Sequence, residues 1–136
     1  MTARPLILLA EDSPDICEMT AQALTEAGYD VVCSSAGKQA YELLRRLLPD
    51  VVILDLNLFG RDTGLDVLRQ MRANRRTAHI PAIVYSADAI SLQRLGGDIA
   101  RHGAVTLAKP FEIDRLLAAT SAQLGAAGQR ERACGE

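Results

Sequence analysis

No apolar run in this chain is long enough to cross a membrane or to serve as a secretory signal. The first run, Pro5-Leu6-Ile7-Leu8-Leu9-Ala10, is too short for either role and meets Glu11-Asp12 at once. There is no excess of one charge. Fifteen Lys and Arg stand against seventeen Asp and Glu, giving a net charge of -2. The basic stripe that direct nucleic-acid binding uses is therefore not expected. Three cysteines, Cys17, Cys33 and Cys134, have no metal-type spacing. An odd count without a signal reads as reduced thiols in a cytoplasmic protein. The first β-α loop is acidic and lacks the glycine-rich fingerprint of a nucleotide-binding loop. No internal repeat or second domain is visible, and 136 residues with 49% hydrophobic content suit one domain with a core.

What is present is alternation. Apolar runs at 5–10, 29–34, 51–55, 80–86 and 104–108 read as strands. Pro81 is tolerable near the start of the fourth. Between the strands lie helical patterns. Ser13 is a good N-cap, Pro14 fits the first helical position, and Gly28 is a natural stop. Ala40, Leu43, Leu44 and Leu47 give the second helix its apolar face, over 37–48, and Pro49 ends it. Leu65, Leu68 and Met71 mark the third, which dissolves into Arg72, Arg75 and Arg76, read as a solvated helix end. The fourth spans 88–102. Gly96-Gly97 interrupts it, each glycine costing about 1 kcal/mol against alanine, so a break or a mobile end is predicted there. Residues 111–124 form the last helix, and 125–136 read as a flexible tail. Five β-α units with strands this apolar predict a parallel sheet with helices on both faces and right-handed crossovers.

Polar groups gather where the strands run out. The first strand ends at Glu11-Asp12, the third at Asp55, the fourth at Ser86 and the fifth at Lys109. In an open parallel sheet ligands bind beyond the carboxyl ends of the strands. The acids meet if strands one and three are neighbours, as in the doubly wound order 2-1-3-4-5. Two carboxylates about 4 Å apart repel by roughly 4 kcal/mol at an effective dielectric of about 20. Three of them call for a cation or for raised pKa values. A hard, oxygen-loving ion such as Mg²⁺ fits a few carboxylates, waters and a phosphate. A lysine adds a charge that can grip a phosphate oxygen. Together these groups fit phosphoryl transfer to an aspartate.

The set Glu11-Asp12, Asp55, Ser86-Ala87 and Lys109-Pro110-Phe111, in that order, resembles the receiver domain of two-component response regulators, from about residue 4 to 124. The resemblance implies a single flavodoxin-like (βα)5 α/β domain of order 2-1-3-4-5 over residues 1–124. It implies that Asp55 accepts a phosphoryl group from a phosphohistidine on a histidine kinase or histidine phosphotransfer protein. Asp12 and Asp55 would bind Mg²⁺ directly, Glu11 through water, and Asn57 through its backbone carbonyl. Ser86 would bond a phosphate oxygen and Lys109 would pair with the phosphate. Asn57 and Asp88 stand where the family tunes hydrolysis of the acyl phosphate. Thr106 stands where an aromatic is common, and Phe59 where a proline is usual.

With its even charge balance, short apolar runs and short tail, the chain is expected to be a stand-alone signalling domain in the cytoplasm, with no membrane or direct nucleic-acid contact. It would be a monomer or a phosphorylation-dependent dimer, and a self-catalysed phosphoacceptor with slow autodephosphorylation instead of a turnover enzyme. Its output would be altered binding to a protein through helix four, strand five and helix five. Two other readings compete. One is a Mg²⁺-dependent phosphohydrolase passing through an aspartyl phosphate, for which Asn57 is a poor general acid. The other is a receiver-like interaction module that is never phosphorylated.

Overall fold

The computed structural model describes residues 4–35, 37–57, 63–108 and 113–134. Ten elements alternate: β1 (Leu6–Ala10), α1 (Pro14–Glu26), β2 (Asp30–Ser34), α2 (Gly37–Leu47), β3 (Val51–Asp55), α3 (Thr63–Ala73), β4 (Ala82–Ser86), α4 (Ala89–Arg101), β5 (Ala104–Ala108) and α5 (Ile113–Cys134). The strands form one parallel sheet of order β2-β1-β3-β4-β5. The expected order is thus the observed one.

The sheet is buried on both faces, so its strands carry no polar alternation. Successive residues still point to opposite sides. Leu8, Val52, Leu54 and Val84 pack with Leu44 of α2, Leu68 and Met71 of α3, and Ile99 of α4. Ile7, Leu9, Ile53, Ile83 and Tyr85 pack with Cys17 and Leu24 of α1 and Leu116 of α5. Two helices therefore cover one face and three the other. The central β3 is fully buried along its length, which fixes the direction in which its last residue, Asp55, can look.

Helix ends follow local chemistry. The Ser13 hydroxyl accepts from the Ile16 N–H at 3.4 Å and starts α1. Gly28, at φ 109°, lets the chain leave it. Leu48 adopts φ 47° as α2 meets Pro49, a turn that glycine would make without strain. No helix among the described residues is long and apolar enough to cross a membrane.

Three expectations need correction. First, α4 is unbroken through Gly96 and Gly97. Asp88 caps it, accepting from the N–H groups of Ile90 and Ser91 at 3.0 and 3.2 Å and from the Ser91 hydroxyl at 2.6 Å. Ile99, Leu92 and Leu95 anchor its other face, and tertiary packing outweighs the glycine penalty. Second, α5 continues to Cys134 instead of ending at Leu124. Ala126, Ala127, Gln129 and Arg130 are good helix formers and carry it past Gly125. Third, Arg72 is not a solvated helix end. Its guanidinium donates to the carbonyls of His102 at 2.5 Å, Ala78 at 3.0 Å and Ile80 at 2.5 Å. It ties the last turns of α3 and α4 to the approach to β4. Arg75 and Arg76 are exposed, as expected.

Candidate functional site

The site lies at the carboxyl ends of β1, β3 and β4. Glu11 continues β1 beyond its last strand residue, its N–H donating to the Ser34 carbonyl of β2 at 2.9 Å. That bond carries the ladder one step further and brings Glu11 level with the mouth of the sheet. Asp55 is the last residue of β3. Carboxylate oxygens of Glu11, Asp12 and Asp55 all lie within 4.8 Å of one another. Among the described residues no other His, Cys, Asp and Glu group has metal-binding geometry.

Burial separates the three acids. Glu11 is 2% and Asp55 6% exposed, whereas Asp12 faces solvent. Buried carboxylates need donors, and the local backbone supplies them. The Ser13 N–H donates to Glu11 Oε2 at 3.0 Å, and the Asn57 N–H to Asp55 Oδ1 at 3.0 Å. Both donors come from the turn that immediately follows each acid. α1 also starts here, so the positive end of its dipole faces the cluster.

The third donor was not expected. Tyr85, register partner of Asp55 on β4, donates its hydroxyl to Glu11 Oε1 at 2.5 Å. Its side chain lies on the α1/α5 face, opposite to Ser86 as the strand alternation predicts. From there it reaches across β3 to the end of β1. Burial, then the bond to Glu11 and its charge, push the Tyr85 pKa well up, so the phenol stays protonated as a donor. Tyr85 was not among the expected site residues. The length of a phenol, enough to span a neighbouring strand, was the signal available.

Ser86 is fully buried. Its Oγ accepts from Asn57 Nδ2 at 2.6 Å and from the Asp88 N–H at 3.0 Å. One hydroxyl thus joins the loop after β3 to the N-cap of α4. Asn57 was expected to bear on hydrolysis of the acyl phosphate, but its side-chain bond to Ser86 was not anticipated. Asp88 is held below the ordinary carboxylate range, first by the Ser91 hydroxyl and then by the Ser91 N–H. Gly64 is a further residue that the sequence did not single out. A Cβ there would run into the Asp55 carbonyl oxygen and lie 2.8 Å from Leu56 Cα and 2.9 Å from Asp55 C. The start of α3 therefore presses directly on the backbone of Asp55, and only glycine fits.

β5 ends at Ala108, paired with Ser86. Lys109, Pro110, Phe111 and Phe59 lie outside the described residues. Thr106 is exposed on β5.

The donor set suits a hard divalent cation. All three side chains are oxygen donors, and two of them are fixed by N–H or O–H groups from their protein side. Three carboxylates this close also have a mutual repulsion that such an ion relieves.

A family model described as the response regulator receiver domain matches residues 7–121. The chain is 34% identical over 121 residues to a DNA-binding dual master transcriptional regulator, RpaA, of a Synechocystis species, covering 88% of this chain and 49% of that protein. It therefore spans about half the length of that relative. The signal receiver domain of a LuxO repressor protein from Vibrio parahaemolyticus superposes with TM-score 0.84 at 27% identity, covering 96% of this chain and 98% of that one. The receiver domain of a Pseudomonas aeruginosa sensor histidine kinase, solved with a magnesium ion in its active-site cleft, superposes with TM-score 0.79 at 30% identity, covering 90% and 99%. The strand order, the acid cluster at the mouth of the sheet and these matches agree: the chain belongs to the response regulator receiver domain family.

Proposed function

We propose that this receiver domain takes a phosphoryl group onto Asp55 from a phosphohistidine of a histidine kinase or phosphotransfer protein, in a cytoplasmic two-component relay. The carrying observation is the cluster of Glu11, Asp12 and Asp55 carboxylates, with Asp55 held at the end of the central strand. Glu11, Asp12, Asp55 and the Asn57 carbonyl would hold Mg²⁺. When bound, that ion supplies positive charge that neutralises the carboxylates and the transferred phosphoryl oxygens.

In the step itself, an Asp55 carboxylate oxygen forms a bond to phosphorus. The bond from phosphorus to the histidine nitrogen breaks, and the imidazole leaves with a proton from solvent. The Asn57 N–H holds Asp55 Oδ1, which orients the carboxylate before the donor arrives. Ser86 donates a hydrogen bond to a phosphoryl oxygen, and Lys109 pairs with the negative charge of the phosphoryl group. Water later hydrolyses the acyl phosphate, so the domain is a phosphoacceptor instead of a turnover enzyme. Asn57 bears on the phosphohydrolase alternative. Its amide is no general acid, and its Nδ2 is engaged with Ser86.

The signal leaves through Ser86. Drawing its hydroxyl toward a phosphate strains its bonds to Asn57 and to the Asp88 N–H that opens α4. The responding surface is α4, β5 and α5, where Ile90 (76% exposed) and Val105 (41%) are available to a protein partner.

Incubation with acetyl phosphate and Mg²⁺, followed by intact-mass measurement, tests the reading. The expected result is one phosphoryl group on wild type and none on Asp55→Asn. No gain in wild type, or an equal gain in the variant, overturns it. Hydrogen exchange in α4 should rise on phosphorylation.

A further inference from the structure

We infer that Tyr85 is a positioning residue for the metal site: its hydroxyl, passed beneath Asp55, fixes the Glu11 carboxylate from the interior of the protein. The inference rests on the reading of Glu11, Asp12 and Asp55 as a Mg²⁺ site, and it concerns how that site is kept in shape.

Glu11 follows directly on β1 and begins a turn. Its backbone N–H is tied to Ser34 of the edge strand β2. A glutamate has three side-chain torsions, so backbone placement alone leaves its carboxylate free to sample several positions. Two side-chain contacts remove that freedom. The Ser13 N–H holds Oε2 at 3.0 Å, and the Tyr85 hydroxyl holds Oε1 at 2.5 Å. The first donor belongs to the same turn and moves with it. The second belongs to β4, two strands away in the sheet, and lies in the rigid core, with Tyr85 1% exposed. Tyr85 is thus the member of the pair that references Glu11 to the sheet, and to Asp55, whose register partner it is.

The chemistry of the contact suits a supporting role. A phenol hydroxyl bonded to a buried carboxylate is a charge-assisted hydrogen bond, stronger than a neutral one. Each carboxylate oxygen can accept more than one bond, so a contact from the core leaves acceptor capacity for a metal-bound water. Outer partners of this kind contribute about 10- to 100-fold to metal affinity in known sites. The same contact explains why a tyrosine hydroxyl sits in an apolar layer among Ile7, Leu9, Ile53 and Ile83, where phenylalanine would fill the same space.

The test is a Mg²⁺ titration of the unphosphorylated protein, followed by the amide resonances of Asp12, Asp55 and Asn57, for wild type and Tyr85→Phe. We expect Tyr85→Phe to weaken Mg²⁺ binding about tenfold. Its phosphorylation by acetyl phosphate should need correspondingly more Mg²⁺ but reach the wild-type rate at saturation. That split separates positioning from a general loss of packing, which would lower the saturated rate as well. A folded Tyr85→Phe with wild-type Mg²⁺ affinity overturns the inference. Should that variant not fold, wild-type protein carrying 3-fluorotyrosine decides. The Tyr85 fluorine signal must then shift with the same Mg²⁺ midpoint as the Asp55 amide, while those of Tyr29 and Tyr41 stay, and a stationary Tyr85 signal refutes the inference. Wild type that binds no Mg²⁺ overturns the proposed function itself, a result distinct from either outcome for Tyr85.

Discussion

The two ends of the sheet handle charge in opposite ways. At the amino end a single cation, Arg72, meets three carbonyl oxygens and closes the gap between α3, α4 and β4. Its charge is spent on fixed dipoles, and Arg69 nearby is paired with Asp98. At the carboxyl end carboxylate oxygens of three anions lie within 4.8 Å of one another, and among the donors that meet them are N–H and O–H groups without formal charge. One end uses a cation to bind fixed dipoles; the other crowds like charges together. Such crowding is relieved where a ligand of opposite sign binds.

Substitutions can break this contrast or sharpen it. The largest effect is expected at Gly64, where a methyl group has backbone and no flexible side chain to push against. Gly64→Ala should cost about 3 kcal/mol in urea unfolding and cut phosphorylation by acetyl phosphate, because Asp55 must shift. At the other end, Arg72→Ala should cost about 2 kcal/mol, since three carbonyls lose a charged donor. Its Mg²⁺ affinity and phosphorylation should match wild type, and a joint loss of both would show that the two ends are coupled.

Asp55→Asn should do the opposite to stability. Removing one crowded carboxylate should raise the unfolding free energy by about 1 kcal/mol in a divalent-free buffer. The advantage should vanish in excess Mg²⁺, which stabilises wild type by mass action. The smallest effect concerns Asp98. Its hydrogen bond from Arg69, first, and the charges of Arg69, His102 and Arg101 hold its pKa below the ordinary carboxylate value. Its contribution is therefore present above the unfolded pKa of about 4 and is lost as pH falls through the lower folded value. Asp98→Asn should unfold more easily than wild type at neutral pH, with the gap closing in that acid window when urea midpoints are compared.

Much of the molecule was legible beforehand, and the reason differs from part to part. β3 is found at Val51–Asp55 as read, because a run buried on both faces is continuous in sequence. The acids converge because parallel topology brings strand ends to one edge. What escaped reading depends on reach in three dimensions. Tyr85 and Arg72 act through long side chains on groups 74 and 30 residues away. Asn57 binds Ser86 across 29 residues. The glycine pair in α4 misled because its penalty is local, whereas Asp88 capping and Ile99 burial act on the helix as a whole.

The bond between Tyr85 and Glu11 also has an optical side. The chain contains no tryptophan and three tyrosines, so its ultraviolet emission belongs to phenol rings. One of those rings is bonded to a carboxylate of the acid cluster, and such a bond quenches a phenol's emission. The protein therefore carries its own label at the acid cluster: any change in the bonding of Glu11 should be visible as a change in tyrosine light, with no dye attached.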